Sequence, residues 1–213
     1  MAERLGRVVP DALSVLATIP TWRKHHLVDW VRSWLSASER NPLEDGMPWL
    51  AWPCIDWLAG ALYQDMKVLE YGGGGSTLFF LSHGCQVTTV EGNSSWVAAI
   101  RARTARFRDR LDLRYVDSQT PDPALRRHYA AQAGVGGPWD LILVDGAFRH
   151  DCLTFAMPYL ATPGIIIVDN TDLPEFADFH PEHLLRDLER TVFRGLGYAR
   201  RRPTTTEVFQ AHT

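Results

Sequence analysis

Short apolar runs recur along the chain from about Met66 onward, and each run ends at an acidic residue. The runs are rich in β-branched residues and do not alternate with polar ones, which is typical of strands that are covered on both faces. The acids at their ends are Glu70, Glu91, Asp117, Asp145 and Asp169. Their spacing of roughly 20 to 30 residues fits a strand, a crossover helix and a return. The pattern therefore predicts an α/β protein with a parallel sheet.

The segments between these runs predict helices over residues 76–83, 94–108, 123–133 and 150–160. A longer insert follows Asp169, and after it the sequence predicts a helix over 181–194. Two final strands are predicted over 198–202 and 205–210. Residues 66–213 are accordingly expected to form one compact α/β domain.

Residues 1–65 have a different pattern and predict a helical cap region. Apolar residues fall at helical spacing, which predicts an amphipathic helix: Leu27, Trp30, Val31, Trp34 and Leu35. A second helix is predicted over 53–63. One interpretation is that these helices cover the flank of the sheet. The other is that they form a lid or a homodimer interface over the ligand site, with aromatic walls from Trp22, Trp49 and Trp52.

Composition restricts the class of protein. With 213 residues, of which 46% are hydrophobic, the chain can bury a full core. The 22 basic and 25 acidic residues give a net charge of −3, so there is no general electrostatic reason to bind nucleic acid. Three widely spaced cysteines predict no disulfide framework, and no apolar run is long enough for a membrane span. We expect a cytoplasmic protein.

A glycine-rich segment after the first run is the sharpest local motif. Four glycines, residues 72–75, directly follow Glu70 and Tyr71 and directly precede a predicted helix. Such a loop lets the backbone approach a ligand closely, and the helix N-terminus favours a negative group. The match to the dinucleotide-binding fingerprint is partial, because Thr77 stands where a third small residue is expected. A glycine turn made for packing alone is the alternative.

The acids predict the chemistry of the ligand. The carboxyl ends of parallel strands meet at one edge of a sheet, so the five carboxylates should line one cleft. Their ligand should then offer hydroxyls, amines and positive charge. Glu91 is placed to accept hydrogen bonds from both hydroxyls of a ribose. Asp117, with Ser118 beside it, is placed to accept a hydrogen bond from the amine of an adenine. Taken singly, each acid would more often be a helix cap or a solvated strand end, whereas the serial arrangement favours binding.

These residues resemble the class I S-adenosylmethionine-dependent methyltransferases. Residues 68–77 are similar to that family's first motif, acid-x-Gly-x-Gly, and the resemblance extends from about Pro48 to the C-terminus. It implies a Rossmann-like methyltransferase fold: a seven-stranded, mostly parallel sheet whose last strand is antiparallel. It also implies S-adenosylmethionine as the cofactor, bound by Glu70 near the methionine amino group, Gly72, Gly74, Glu91, Asp117, Ser118 and Asp145.

The ends of the fourth and fifth runs suggest where catalysis takes place. Asp145 and the pair Asp169-Asn170 should lie on neighbouring strands, and their oxygens are ligands suited to Mg²⁺. The set resembles the cation-dependent O-methyltransferases but departs from the catechol branch, because no lysine follows Asp145. Without a metal, His150 is the candidate general base beside Asp145. Alternatively, His150 is an exposed residue early in the following helix, and Asp169-Asn170 forms a turn or a cap.

The sequence thus predicts a methyltransferase that acts on a small-molecule hydroxyl. Either Mg²⁺ or a general base would assist the transfer. An NAD(P)-dependent oxidoreductase on a Rossmann fold is disfavoured by Thr77 and by the acidic cleft, which would repel a pyrophosphate. A non-catalytic cofactor-binding or scaffold protein is the third alternative.

Overall fold

A computed structural model describes residues 28, 30–32, 42–172, 181–198 and 203–211. They form one seven-stranded sheet with helices on both faces. The strands are β1 Lys67–Tyr71, β2 Gln86–Glu91, β3 Leu111–Tyr115, β4 Trp139–Val144, β5 Leu160–Asp169, β6 Glu189–Gly195 and β7 Thr204–Gln210.

The sheet has the strand order β3-β2-β1-β4-β5-β7-β6. Strands β1 to β5 pair in parallel, whereas β7 is antiparallel to both β5 and β6. The order reverses between β1 and β4, which is the position where ligands of open α/β sheets bind. The predicted fold class, including the antiparallel last strand, is confirmed.

Both faces of the sheet are buried. In β4, Leu141 and Leu143 belong to one core cluster, while Ile142 and Val144 belong to another on the opposite face. Because successive side chains of a strand point to opposite faces, a strand covered on both sides must be apolar throughout. This is the physical origin of the unbroken apolar runs in the sequence.

The described helices are α1 Pro42–Asp45, α2 Trp52–Ala61, α3 Gly75–Ser82, α4 Ser94–Arg103, α5 Pro123–Ala130, α6 Arg149–Ala156 and α7 Pro181–Leu184. Two of them, α4 and α5, begin at side-chain caps. The side chain of Asn93 accepts hydrogen bonds from the first turn of α4, and that of Asp122 does so for α5. The helix predicted over 94–108 ends at Arg103 and continues as the 3₁₀ turn Ala105–Phe107.

The prediction for the C-terminal part was wrong in one element. Residues 181–194 are not a single helix, because α7 has four residues and β6 begins at Glu189. The run Thr191-Val192-Phe193 is β-branched and aromatic, and β6 pairs with β7 over seven residues. The strand predicted over 198–202 falls largely outside the described residues, and Tyr198 itself lies in a turn.

Part of the N-terminal prediction can be followed. Helix α2 matches the helix predicted over 53–63, and residues 28 and 30–32 are helical, with Trp30 buried in the same core cluster as Trp52. Trp22, Leu27, Trp34 and Leu35 lie outside the described residues. The division into a cap region and an α/β domain, and the homodimer, stay predictions.

Two further features concern the whole of the described chain. None of its helices combines the length and the apolar character that crossing a bilayer requires. Cys54, Cys85 and Cys152 are free and buried.

Candidate active site

A cavity of about 400 Å³ lies at the carboxyl ends of the parallel strands, across the β1–β4 crevice. Its polar wall consists of the glycine loop, Glu91, Asp145, Gly146, Arg149 and Asn170. Pro42, Trp49 and Trp96 supply its apolar wall. The cavity therefore brings together Gly72, Gly74, Glu91, Asp145 and Asn170 of the predicted site.

The glycine loop is fixed against its neighbours by main-chain contacts. Gly72 has φ +86°, and a Cβ there would lie 2.7 Å from the Cα of Gly146. The amide of Gly72 donates to the carbonyl of Val90 at 2.9 Å, and the indole of Trp96 donates to the carbonyl of Gly73 at 2.6 Å. Only glycine fits at position 72, for reasons of both conformation and space.

Glu70 lies behind this loop, fully buried, and is not one of the cavity-lining residues. Its Oε2 accepts hydrogen bonds from the hydroxyls of Thr77 at 2.5 Å and Thr89 at 2.9 Å. Thr77 Oγ1 in turn accepts the amide of Gly74 at 3.0 Å. Burial raises the pKa of Glu70 to about 7, although neighbouring hydroxyls act in the opposite direction. Its predicted contact with a methionine amino group stays a prediction.

Glu91 faces the cavity and also supports the loop. Its Oε2 accepts the amide of Gly73 at 3.0 Å, and its Oε1 accepts the amide of Asn93 at 2.8 Å. An ionised carboxylate has about four lone-pair sites, so these two bonds leave capacity for ligand hydroxyls. The geometry is compatible with the predicted ribose contact.

Asp117 and Ser118 are not part of the cavity wall. Asp117 closes its own turn, accepting the amide of Gln119 at 2.8 Å and the hydroxyl of Thr120 at 2.5 Å. The bond from Thr120 is the largest cause of a lowered Asp117 pKa. Ser118 packs on Gly92, where a Cβ would lie 1.9 Å from the serine oxygen. The adenine contact of both residues stays a prediction.

Arg149 occupies the space between the three residues that were predicted to bind a metal. Its guanidinium donates to Asp145 Oδ1 at 3.1 Å and to Asn170 Oδ1 at 3.2 Å, and also to the main-chain oxygen of Asp169. The side chain of Arg149 is only 9% exposed. The oxygens offered by Asp145 and Asn170 therefore already bind a cation from within the chain.

Asp169 is not one of the cavity-lining residues. It is 1% exposed and accepts a hydrogen bond from the hydroxyl of Thr206 on β7. Burial, followed by the charge of Asp145, raises the Asp169 pKa well above its ordinary range. Over the described ranges, no group of three or more His, Cys, Asp or Glu side chains could hold a metal. Asp145, Asp169 and Asn170 thus do not present the open oxygen set that Mg²⁺ requires.

His150 does not reach the cavity wall. Its side chain is 58% exposed at the start of α6, and Nδ1 lies 3.8 Å from Asp151 Oδ1. Of the two predicted catalytic residues, the structure brings Asp145 to the cavity and leaves His150 outside it. The expectation that five carboxylates line one cleft is corrected in the same way: Glu91 and Asp145 face the cavity, beside one arginine.

Sequence reasoning missed three residues of this site. Arg149 stands four residues after Asp145 but is the first residue of α6, so the pair depends on the conformation of residues 145–148 and not on helical spacing. Trp96 lies in the first turn of α4, where an apolar residue usually indicates the core. Thr77 was treated as a departure from the dinucleotide fingerprint, whereas its hydroxyl links Glu70 to the loop.

Solved structures share this architecture. The O-methyltransferase TomG from Streptomyces achromogenes, involved in tomaymycin synthesis and crystallised with S-adenosylmethionine, is 18% identical, with a TM-score of 0.60 over 90% of this chain and 100% of its own. An O-methyltransferase from Bacillus cereus in complex with S-adenosylhomocysteine is 16% identical, with a TM-score of 0.55 over 92% of this chain and 94% of its own.

A third similar structure is that of a methyltransferase with a different name. The precorrin-6y C5,15-methyltransferase from Geobacter metallireducens is 14% identical, with a TM-score of 0.51 over 75% of this chain and 87% of its own. No protein-family model and no curated protein matches this chain. At these identities the likeness defines the fold, which is the Rossmann-like fold of class I methyltransferases.

Proposed function

We propose that the protein is an S-adenosylmethionine-dependent methyltransferase that acts on a small-molecule acceptor. The observation that carries this proposal is the joining of a glycine loop and two carboxylates, Glu91 and Asp145, around one cavity at the strand-order reversal. S-adenosylmethionine is a nucleoside with a sulfonium and an ammonium group, so its hydroxyls and positive charges suit these carboxylates. The shared fold of TomG and the Bacillus cereus enzyme supports the same assignment.

An acceptor hydroxyl is the proposed site of methylation. When bound, the cofactor would supply a methyl group whose bond to sulfur breaks as a bond to the acceptor oxygen forms, while the proton of the hydroxyl passes to the carboxylate of Asp145. Asp145 lies on the cavity wall, so its carboxylate can accept the hydrogen bond of that hydroxyl and orient it. Trp49 and Trp96 offer flat apolar surfaces to the remainder of a small molecule.

Calorimetric titration tests the binding half of this proposal. S-adenosylhomocysteine should bind the wild-type protein, whereas NAD⁺ should not. Gly72→Ala should abolish binding, because its Cβ would collide with Gly146. Gly60→Ala is the matched control, since a Cβ there meets no atom within 4 Å. Binding of NAD⁺ without S-adenosylhomocysteine would instead support the oxidoreductase alternative.

Turnover tests the catalytic half. Incubation with S-adenosylmethionine and a panel of phenols, sugars and other small hydroxyl compounds should release S-adenosylhomocysteine, and Asp145→Asn should slow that release at least about tenfold. Cofactor binding without turnover on any member of a broad panel would favour the non-catalytic alternative. The cytoplasmic location stays a prediction.

A further inference from the structure

The cation at the β4–β5 end of the cavity is a side chain of the protein itself. Arg149 is the first residue of α6, and its guanidinium contacts all three positions at which a divalent ion was predicted: Asp145, Asp169 and Asn170. It also donates to the carbonyl of Gly146 at 3.2 Å. These contacts come from two strand ends and one loop, so they fix the guanidinium from several directions.

The same contacts use the oxygens on which a metal would depend. Asp145 Oδ1 and Asn170 Oδ1 both accept from one nitrogen of Arg149, Nη2. Asp169 does not line the cavity: its Oδ1 accepts a hydrogen bond from Thr206, and its Oδ2 is buried without a hydrogen-bond partner among the described residues. A divalent ion placed here would meet a like charge at contact distance and an incomplete oxygen shell.

We propose that Arg149 takes the place of a divalent cation, so that this site holds its acceptor against a guanidinium and works without a metal. This inference rests on the proposed methyltransferase function for its role in catalysis. The fixed positive charge lies beside Asp145 on the cavity wall, where it attracts an acceptor oxygen that carries partial or full negative charge. Acceptors with an acidic hydroxyl, such as phenols, fit this site best.

Titration with Mn²⁺, followed by electron paramagnetic resonance with and without S-adenosylhomocysteine, tests the inference. The wild-type protein should bind Mn²⁺ no more tightly than about 1 mM, and chelator should leave its affinity for S-adenosylhomocysteine unchanged. Arg149→Met removes the internal cation while keeping a long side chain. It should bind Mn²⁺ at least about tenfold more tightly than wild type, and Asp145→Asn in the same chain should remove that gain. Arg149→Lys keeps the positive charge, so its affinity for Mn²⁺ should stay as weak as that of wild type.

Arg126→Met is the matched control. Arg126 pairs with Asp151 outside this cavity, so its loss also frees a carboxylate but should not create Mn²⁺ binding at the site. A wild-type Mn²⁺ site tighter than about 1 mM that Asp145→Asn removes would overturn the inference, as would an Arg149→Met protein with no gain. Should Arg149→Met fail to fold, the wild-type and Arg149→Lys titrations still decide it.

The two proposals fail in distinguishable ways. A wild-type protein that binds no S-adenosylhomocysteine contradicts the proposed function, whatever the Mn²⁺ titration gives. A protein that binds S-adenosylhomocysteine and also a tight Mn²⁺ ion keeps the methyltransferase assignment and loses the role given to Arg149.

Discussion

The carboxyl group of Glu70 lies beneath the glycine loop with no exposed surface, and burial raises its pKa from 4.5 to about 7. Between these two pH values, the folded protein keeps a proton that the unfolded chain has already lost. The free energy of unfolding therefore falls as the pH rises through this window, and the whole of this decrease is reached above pH 7. A shift of this size corresponds to about 3 kcal/mol.

Glu70→Gln should remove this pH dependence. Compared with wild type, the variant should become more stable by up to about 3 kcal/mol as the pH is raised from 5 to 8. Urea unfolding at the two pH values measures the difference. Asp109→Asn removes a carboxylate that is 93% exposed and should leave the pH dependence unaltered. Parallel stability curves for wild type and Glu70→Gln would contradict the raised pKa of Glu70.

Glu70 and Asp145 also show which site residues a sequence can locate. Both were placed at the correct edge of the sheet, because an acid at the end of an apolar run indicates the end of a strand. Whether the side chain faces the cavity depends on how far along its strand the residue lies. Glu70 is in register with Leu143 inside the sheet, whereas Asp145 stands two positions further on, after the end of β4, and reaches the cavity. A shift of two residues decides this, and sequence boundaries are no more accurate than that.

At the scale of elements, the hairpin of β6 and β7 contains a buried carboxylate on β7 whose arginine partner lies on β6. Glu207 on β7 has a side chain that is 5% exposed, and Arg190 on β6 donates to both of its oxygens, at 2.9 and 2.7 Å. Thr171 donates a third bond at 2.9 Å. Because a buried carboxylate needs its donors, this pair joins β6 to the sheet more strongly than a surface ion pair would.

Arg190→Met should lower the free energy of unfolding by about 1 to 2 kcal/mol, because Glu207 would keep its burial and lose two donors. Arg108→Met is the matched control, since its ion pair with Asp109 is 85% and 93% exposed on the two sides and should contribute under about 0.5 kcal/mol. Urea unfolding of both variants gives the comparison. If both variants lost the same free energy of unfolding, the buried pair would contribute no more to stability than the exposed one.

The same hairpin explains why the sequence predicted some elements and missed others. Strands β1, β2, β4 and β5 are covered on both faces, so their apolar runs are unambiguous. Strand β6 lies at the edge of the sheet, and its exposed residues include Glu189, Arg190 and Arg194. Charged residues in this number are common in helices, so the segment was assigned to the preceding helix. Its pairing with β7 is a tertiary contact that no local pattern displays.

At the scale of the whole molecule, a ligand in the β1–β4 cavity should stabilise the fold. Cofactor binding to the folded protein alone adds about 2.7 kcal/mol at a concentration one hundred times the dissociation constant. For a chain of this size that is about 5 to 10 °C in the melting temperature. Thermal unfolding with S-adenosylhomocysteine should show this increase for wild type. No increase at saturation would mean that the ligand binds the unfolded chain equally well or does not bind.

The position of β7 has a consequence for the order of folding. This strand follows β6 in the chain but lies between β5 and β6 in the sheet, so β6 has no neighbour in the sheet until β7 arrives. During synthesis, the half built from β1 to β5 can assemble as each strand emerges, while β6 must wait for residues 204–210. A chain whose translation ends before residue 204 would lack β7, so the edge of β5 would have unpaired backbone N–H and C=O groups. Such an edge can pair with a strand of another molecule.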